Sequence, residues 1–67
     1  MAIVKVIEVI GTSEKGFTEA TQNAVEEAAK TVKNIQSIYV KEMNANVENQ
    51  KITTFAVNAK VSFKVGD

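Results

Sequence analysis

Residues 51–65 alternate between two kinds of side chain without a break. Lys51, Thr53, Phe55, Val57, Ala59, Val61, Phe63 and Val65 fall on one side of an extended chain, largely apolar. Ile52, Thr54, Ala56, Asn58, Lys60, Ser62 and Lys64 fall on the other. A period of two is the signature of a strand with one face buried. At about 3.3 Å per residue this strand spans roughly 50 Å. Residues 37–48 form a second long strand, and the polar pair Asn49-Gln50 between them makes a hairpin turn. Its register stays open, because Ile38 and Val40 compete with Tyr39, Met43 and Val47 for the inner face.

The period changes over residues 14–33. Phe17, Ala20, Ala24, Ala28 and Val32 recur at helical spacing with Val25 alongside, and Glu19, Gln22, Glu26, Lys30 and Lys33 take the other side. Glu26 and Lys30 are spaced to pair across one turn. Glu14 early and Lys30 and Lys33 late suit the helix dipole. Alanine dominates the apolar stripe, so the helix is expected to lie close to a sheet. Residues 2–10 are mostly β-branched and read as a strand apolar on both faces, either central or covered by a partner. Gly11-Thr12-Ser13 is expected to break that strand and cap the helix. Phe17, Phe55 and Phe63 read as core.

The order is therefore β-α-β-β, an α+β fold read as one domain over residues 1–67. A 20-residue helix spans about 30 Å and cannot cover a 50 Å sheet. A chain of 67 residues buries only about 60% of its unfolded surface. Without Cys it has no disulfide to compensate. Bare sheet of this kind is a liability in a monomer, so a homo-oligomer is expected.

Composition excludes several chemistries. There is no His, Cys, Trp, Pro or Arg, and eight Lys balance seven Glu and one Asp. The usual general base, thiol nucleophile and Cys or His metal sites are absent. Balanced charge without Arg argues against nucleic acid. No apolar run approaches the ~20 residues needed to cross a bilayer, and the first residues carry no secretory pattern. No membrane association and a cytoplasmic location are the expectations.

No motif assembles a catalytic site. Gly11 to Gly16 has the glycine spacing of a phosphate loop, but Phe17 stands where the lysine belongs, so it reads as a strand–helix turn. Glu26 and Glu27 point about 100° apart on a solvated face. Glu8 sits inside an apolar strand on the face of Val4, Val6 and Ile10, where a lysine partner across an interface is expected. Glu42 and Glu48 share a strand face with Asn44 and Asn46, an oxygen-rich row of the kind hard cations use. Ser62 stands between Lys60 and Lys64 without an oxyanion hole. The chain is not expected to be an enzyme, and no metal ligand set is assignable.

Three segments carry a family resemblance. Lys5-Val6-Ile7-Glu8-Val9-Ile10-Gly11-Thr12-Ser13 resembles the opening strand and turn of the dodecins. Asn23-Ala24-Val25 with Ala29-Lys30-Thr31-Val32-Lys33-Asn34-Ile35 is similar to their helix, and Lys60-Val61-Ser62-Phe63-Lys64 to their closing strand. The resemblance implies a three-stranded antiparallel sheet wrapped around one helix. It also implies assembly as a hollow homododecamer, and storage or buffering of flavins (riboflavin, FMN, FAD) held in pairs at subunit interfaces. Some members bind coenzyme A. Flavin binders place a Trp after the helix, where Ser37 stands here, and a Gln in the last strand, where Ala56 stands. Gln36 and Tyr39 are the neighbours placed to compensate. The expected function is thus flavin storage at a weakened site formed around Ser37, Ala56, Gln36 and Tyr39. The alternative is a shell that binds a divalent cation, coenzyme A or another small molecule. Calcium-binding dodecins share the runs at 51–53 and 61–64 and resemble this chain in lacking the Trp–Gln pair.

Overall fold

The computed structural model describes residues 3–66. It contains β1 (Ile3–Ser13), α1 (Phe17–Ala29), β2 (Ile35–Glu48) and β3 (Lys51–Val65). Ala2, expected to open the first strand, lies outside the described residues. The three strands form one antiparallel sheet in the order β1-β3-β2. The β3 alternation holds as read. Val57, Ala59 and Val61 are fully buried, Phe63 nearly so, and all face the helix.

The alanine stripe explains how closely the helix lies. Ala20 and Ala24 are fully buried and Ala28 is 1% exposed. They pack with Val57 into a core flanked by Val9, Phe17, Ile38, Val40 and Phe55. Phe17 meets Phe55 edge to face, with ring centroids 4.9 Å apart. Gly11 belongs to this contact rather than to a turn. The strand continues through it to Ser13, opposite Phe55. A Cβ at Gly11 would run into the Ala20 carbonyl oxygen and stand 2.7 Å from the Ala24 backbone nitrogen. The glycine is needed because backbone meets backbone there.

The helix is shorter than its periodicity suggested, 13 residues at Phe17–Ala29 against the expected 14–33. Its N-cap is Gly16, with no side-chain cap. Ser13 Oγ instead accepts a hydrogen bond from the Lys15 backbone N–H, 2.9 Å away, which shapes the loop before the helix. Glu14 therefore precedes the helix, and Glu19 is the acid of its first turn. At the far end the Thr31 and Val32 N–H groups both donate to the Ala28 carbonyl, and Asn34 turns the chain with φ of 64°. Lys30 pairs with Glu27 at 3.1 Å, not with Glu26, whose carboxylate accepts from the Gln22 amide. Lys30 sits at the cap, past the last regular turn, where the three-residue spacing is the shorter reach.

The hairpin register is settled by bulges. Ile38 and Val40 stand opposite Val61 and Ala59 on the inner face. The register then shifts between Val40 and Glu42, so Met43 and Ala45 take the inner positions opposite Val57 and Phe55. Both competing sets are thus partly right, because the extra residue, Lys41, moves the pattern across by one. Tyr39 stays on the outer face, opposite Lys60. A further shift follows Asn46.

The turn itself carries strain. Asn49 and Gln50 both have positive φ, 51° and 67°. A two-residue loop with both φ positive prefers Asn-Gly, and the chain supplies only the Asn. Gln50→Gly is expected to raise stability by about 0.5–1 kcal/mol, the relief of a left-handed side chain less the added freedom of the unfolded chain. A higher urea midpoint at unchanged slope is the expected reading.

β1 is an edge strand, which removes the reading that placed it centrally. Its outer row is open, and Val4, Val6 and Ile10 are each more than half exposed. The chain extends 53 × 18 × 14 Å, whereas a 13-residue helix covers about 20 Å. Both ends of the sheet are therefore bare, more so than the sequence implied.

Candidate functional site

The face of the sheet opposite the helix gathers the candidate residues. Along β3 it presents Lys64, Ser62, Lys60, Asn58, Ala56 and Thr54. β1 adds Val4, Val6, Glu8, Ile10 and Thr12, and β2 adds Ser37, Tyr39, Glu42, Asn44 and Asn46. This follows from parity alone, since alternate residues of a strand share a face. All of it lies away from α1.

Ser37 stands opposite Ser62, and their hydroxyl oxygens share a hydrogen bond of 2.6 Å. Tyr39 follows on the same row, 66% exposed, with its ring free to meet a ligand or a neighbouring surface. Gln36 is the extra residue of the bulge between Ile35 and Ser37. Its amide nitrogen donates to the Asn34 carbonyl at 3.2 Å, which bends it back toward the loop and away from Tyr39's row. Ala56 stands opposite Thr12 on one side and Asn44 on the other. Its methyl leaves a shallow floor between a hydroxyl and an amide.

Ser37 and Tyr39 are together, but Ala56 is not with them. Ser37 registers with Ser62 and Ala56 lies six positions along β3, roughly 20 Å at ~3.3 Å per residue. One chain presents the two positions on the same face at separate places. Among the described residues there is no concavity deep enough to enclose a ligand. A single chain offers a surface, and a site enclosing a planar molecule needs a second wall.

Between these two places lies a charged crossing. Glu8 on β1 and Lys41 on the β2 bulge reach over β3 to within 3.4 Å, above Lys60, which is Glu8's register partner. Glu8 does have a lysine partner, but it comes from the same chain and not from across an interface as expected. Both side chains are about half exposed, so the pair contributes at most a few tenths of a kcal/mol. The sequence offered no route to this pair, because the bulge that aims Lys41 is not written in any single residue type.

The oxygen-rich row holds only in part. Glu42, Asn44 and Asn46 stand opposite Asn58, Ala56 and Thr54. Glu48 is parted from them by the register shift after Asn46 and stands opposite Lys51. Among the described residues no three carboxylates, or other strong ligands, converge. Ser62 is bonded to Ser37 rather than to Lys60 or Lys64. Among the described residues no helix is long and apolar enough to cross a membrane.

Comparison with known proteins agrees along the whole described length. Residues 3–66 match the family model described as Dodecin. The calcium dodecin of Mycobacterium tuberculosis is 34% identical over 97% of this chain and 92% of its own length. The dodecin of Thermus thermophilus is 30% identical over 94% of this chain and 91% of its own. The solved structure of the dodecin from Streptomyces davaonensis superposes with a TM-score of 0.92 at 26% identity, covering 98% of this chain and 97% of the other. The solved structure of the mycobacterial protein, described as a calcium-chelating antigen with a novel calcium-binding site, superposes with a TM-score of 0.80. With a family match over nearly every residue and a shared β-α-β-β sheet, the chain belongs to the dodecin family.

Proposed function

We propose that the protein is a binding and sequestration protein rather than an enzyme. It works as a homo-oligomeric shell, by family resemblance a dodecamer, whose small-molecule sites lie where the outer sheet faces of neighbouring copies meet. The observation that carries this reading is the separation of Ser37 and Tyr39 from Ala56 on one open face. Each place supplies half of an enclosure, and a second copy supplies the rest. The ligand class is flavin, held weakly. Ser37 offers no ring to stack on, which removes on the order of 1 kcal/mol or more. Ala56 offers no hydrogen bond, which removes about as much again. Together these weaken binding roughly a hundredfold. Tyr39 is the one aromatic side chain on the face and the natural substitute for stacking.

A second reading draws on the calcium dodecin relative. In it the shell holds a divalent cation, and carboxylates such as Glu42 meet others from symmetry-related copies. Native mass spectrometry with added riboflavin and, separately, with calcium tests both. An oligomer gaining flavin in whole-number steps supports the first reading, and one gaining only calcium supports the second. A monomer overturns both.

A double substitution tests the pocket positions. Ser37→Trp with Ala56→Gln is expected to raise riboflavin affinity about a hundredfold, read as tighter quenching of flavin fluorescence. The cost to folding is small, since both positions sit on the open face and only the Ser37–Ser62 hydrogen bond is lost, worth about 1 kcal/mol. Unchanged affinity in a folded oligomer would place the pocket elsewhere.

A further inference from the structure

The Ser37–Ser62 pair has a hydrogen to spare. The two hydroxyl oxygens are 2.6 Å apart, so one hydroxyl donates to the other. The accepting hydroxyl keeps its own hydrogen, available to a ligand above the sheet. A hydroxyl that accepts one bond while donating another is polarised, which makes this hydrogen a better donor than a lone serine offers. Ser37 is exposed and Ser62 half-buried, so the pair is open to solvent.

Lys60 and Lys64 flank the pair. Each stands two positions from Ser62 on the same face of β3, about 7 Å away at ~3.3 Å per residue. Both are exposed, and the backbone N–H of Lys64 donates to the Asn34 carbonyl at 3.1 Å, which fixes that end of the row. Among the described residues neither lysine forms an ion pair. Glu8, the register partner of Lys60, pairs with Lys41 instead. The next carboxylate along the face, Glu42, lies one row further, opposite Asn58. Val4 and Val6, opposite Lys64 and Ser62, bring no charge. Two ammonium groups and a polarised hydroxyl therefore surround one point, and the acids nearby are engaged or a row away.

We infer that this point binds a phosphate group, as inorganic phosphate or as a phosphate monoester. A phosphate monoester carries close to two negative charges at neutral pH and three strong acceptor oxygens, one for each of these donors. Charge-assisted bonds of this kind are roughly twice as strong as neutral ones. A carboxylate has one charge and two oxygens and leaves a donor unmet. Tyr39, opposite Lys60, adds an aromatic surface for any planar group carried on the same phosphate. The site goes beyond the flavin reading, which concerns the ring of a ligand and leaves its charge unassigned. Ser37, the residue that denies a ring its stacking partner, is the one that completes the hydroxyl pair.

Calorimetric titration of the assembled protein with inorganic phosphate, at fixed ionic strength, tests the site. Riboflavin and FMN are titrated separately by flavin fluorescence. Phosphate is expected to saturate. Lys60→Met and Lys64→Met should each weaken it about threefold to fivefold, the scale of an exposed ion pair. Ser37→Ala with Ser62→Ala should weaken it about threefold to tenfold, the scale of a lost hydrogen bond. Both serines are changed because either hydroxyl alone still donates. Lys51→Met removes the same charge at the hairpin, opposite Glu48, and should change nothing. Circular dichroism and native mass spectrometry verify fold and assembly, and Lys60→Gln and Lys64→Gln replace a lysine variant that fails. FMN that binds more tightly than riboflavin, by a factor the lysine variants abolish, puts the phosphate on a planar ligand. Saturating phosphate with FMN no tighter than riboflavin makes the free ion the ligand. Either outcome sustains the site. A loss in Lys51→Met equal to that in Lys60→Met reduces it to net charge and overturns it, as does a serine double variant of unaltered affinity. Phosphate that never saturates, with FMN no tighter than riboflavin, overturns it as well. Phosphate that binds where neither flavin does removes the flavin reading and leaves this one standing.

Discussion

Gly11→Ala is expected to destabilise the chain by about 3 kcal/mol or more, at or beyond the upper end of ordinary overpacking. The added methyl would collide with the Ala20 carbonyl oxygen and stand 2.7 Å from the Ala24 nitrogen and 2.8 Å from its Cβ. Two of these three atoms are backbone, so no rotamer change clears the space. Relief requires lifting the helix from the sheet, which opens the only packed core among the described residues, the cluster of Ala20, Ala24 and Val57. At about 4–8 °C per kcal/mol for a domain this small, the melting temperature should fall by roughly 15 °C or more. Gly16→Ala is the matched control. Gly16 has φ of 168°, extended backbone that any residue adopts, and its Cβ would meet only the flexible Glu19 carboxylate at 3.0 Å. It should cost no more than about 1 kcal/mol, the penalty of a poor N-cap. Equal effects at the two glycines in thermal unfolding would show that close helix–strand approach is not what Gly11 provides. If assembly masks the difference, urea unfolding below the dissociation concentration separates the two contributions.

The glycine also marks how far sequence reasoning reached. The helix on a sheet, the hairpin and the 15-residue strand were legible because each rests on a period, two or 3.6, repeated many times. Gly11 was misread as a strand breaker because a glycine that bends the chain and one that admits a neighbour are the same letter. The distinction lies in Ala20 and Ala24, which face it only after folding. The β2 register was undecidable for a related reason. A bulge inserts one residue at Lys41 and turns one alternation into two offset halves, each of which looks like an error in the other. The far end of the helix was overextended because Val32 keeps the apolar period although the regular helix ends at Ala29, before the left-handed turn at Asn34. For the candidate site, sequence parity placed Ala56 on the polar face of β3, but it left the face of Tyr39 open and could not show that Ser37 and Ala56 stand far apart along β3. That distance is what makes a second copy part of the functional reading.

Val57→Lys should prevent folding at neutral pH. Val57 is fully buried, between Gly11 on β1 and Met43 on β2, beneath the Ala20–Ala24 stripe. Alanine above and glycine beside it leave no channel through which a lysine stem could carry its ammonium to water. No acid lies in that cluster to pair with it. The lysine must enter neutral or not enter. Burial then lowers its folded-state pKa below the usual value of about 10.4. The unfolded chain binds the extra proton, so stability rises with pH from the depressed folded value up to the unfolded one. The variant should therefore fold best in alkaline solution and lose that structure as the pH falls toward 7, seen as loss of the sheet signal in circular dichroism. Asn58→Lys, one residue along and facing outward opposite Ile10 and Glu42, should remain folded across the same range, because its ammonium reaches water beside a carboxylate. Two adjacent lysines with opposite outcomes are what an alternating strand demands. A Val57→Lys chain that stays folded at pH 7 with a stability near the original would mean that the inner face is open to water, and the core assignment along β3 would fall with it.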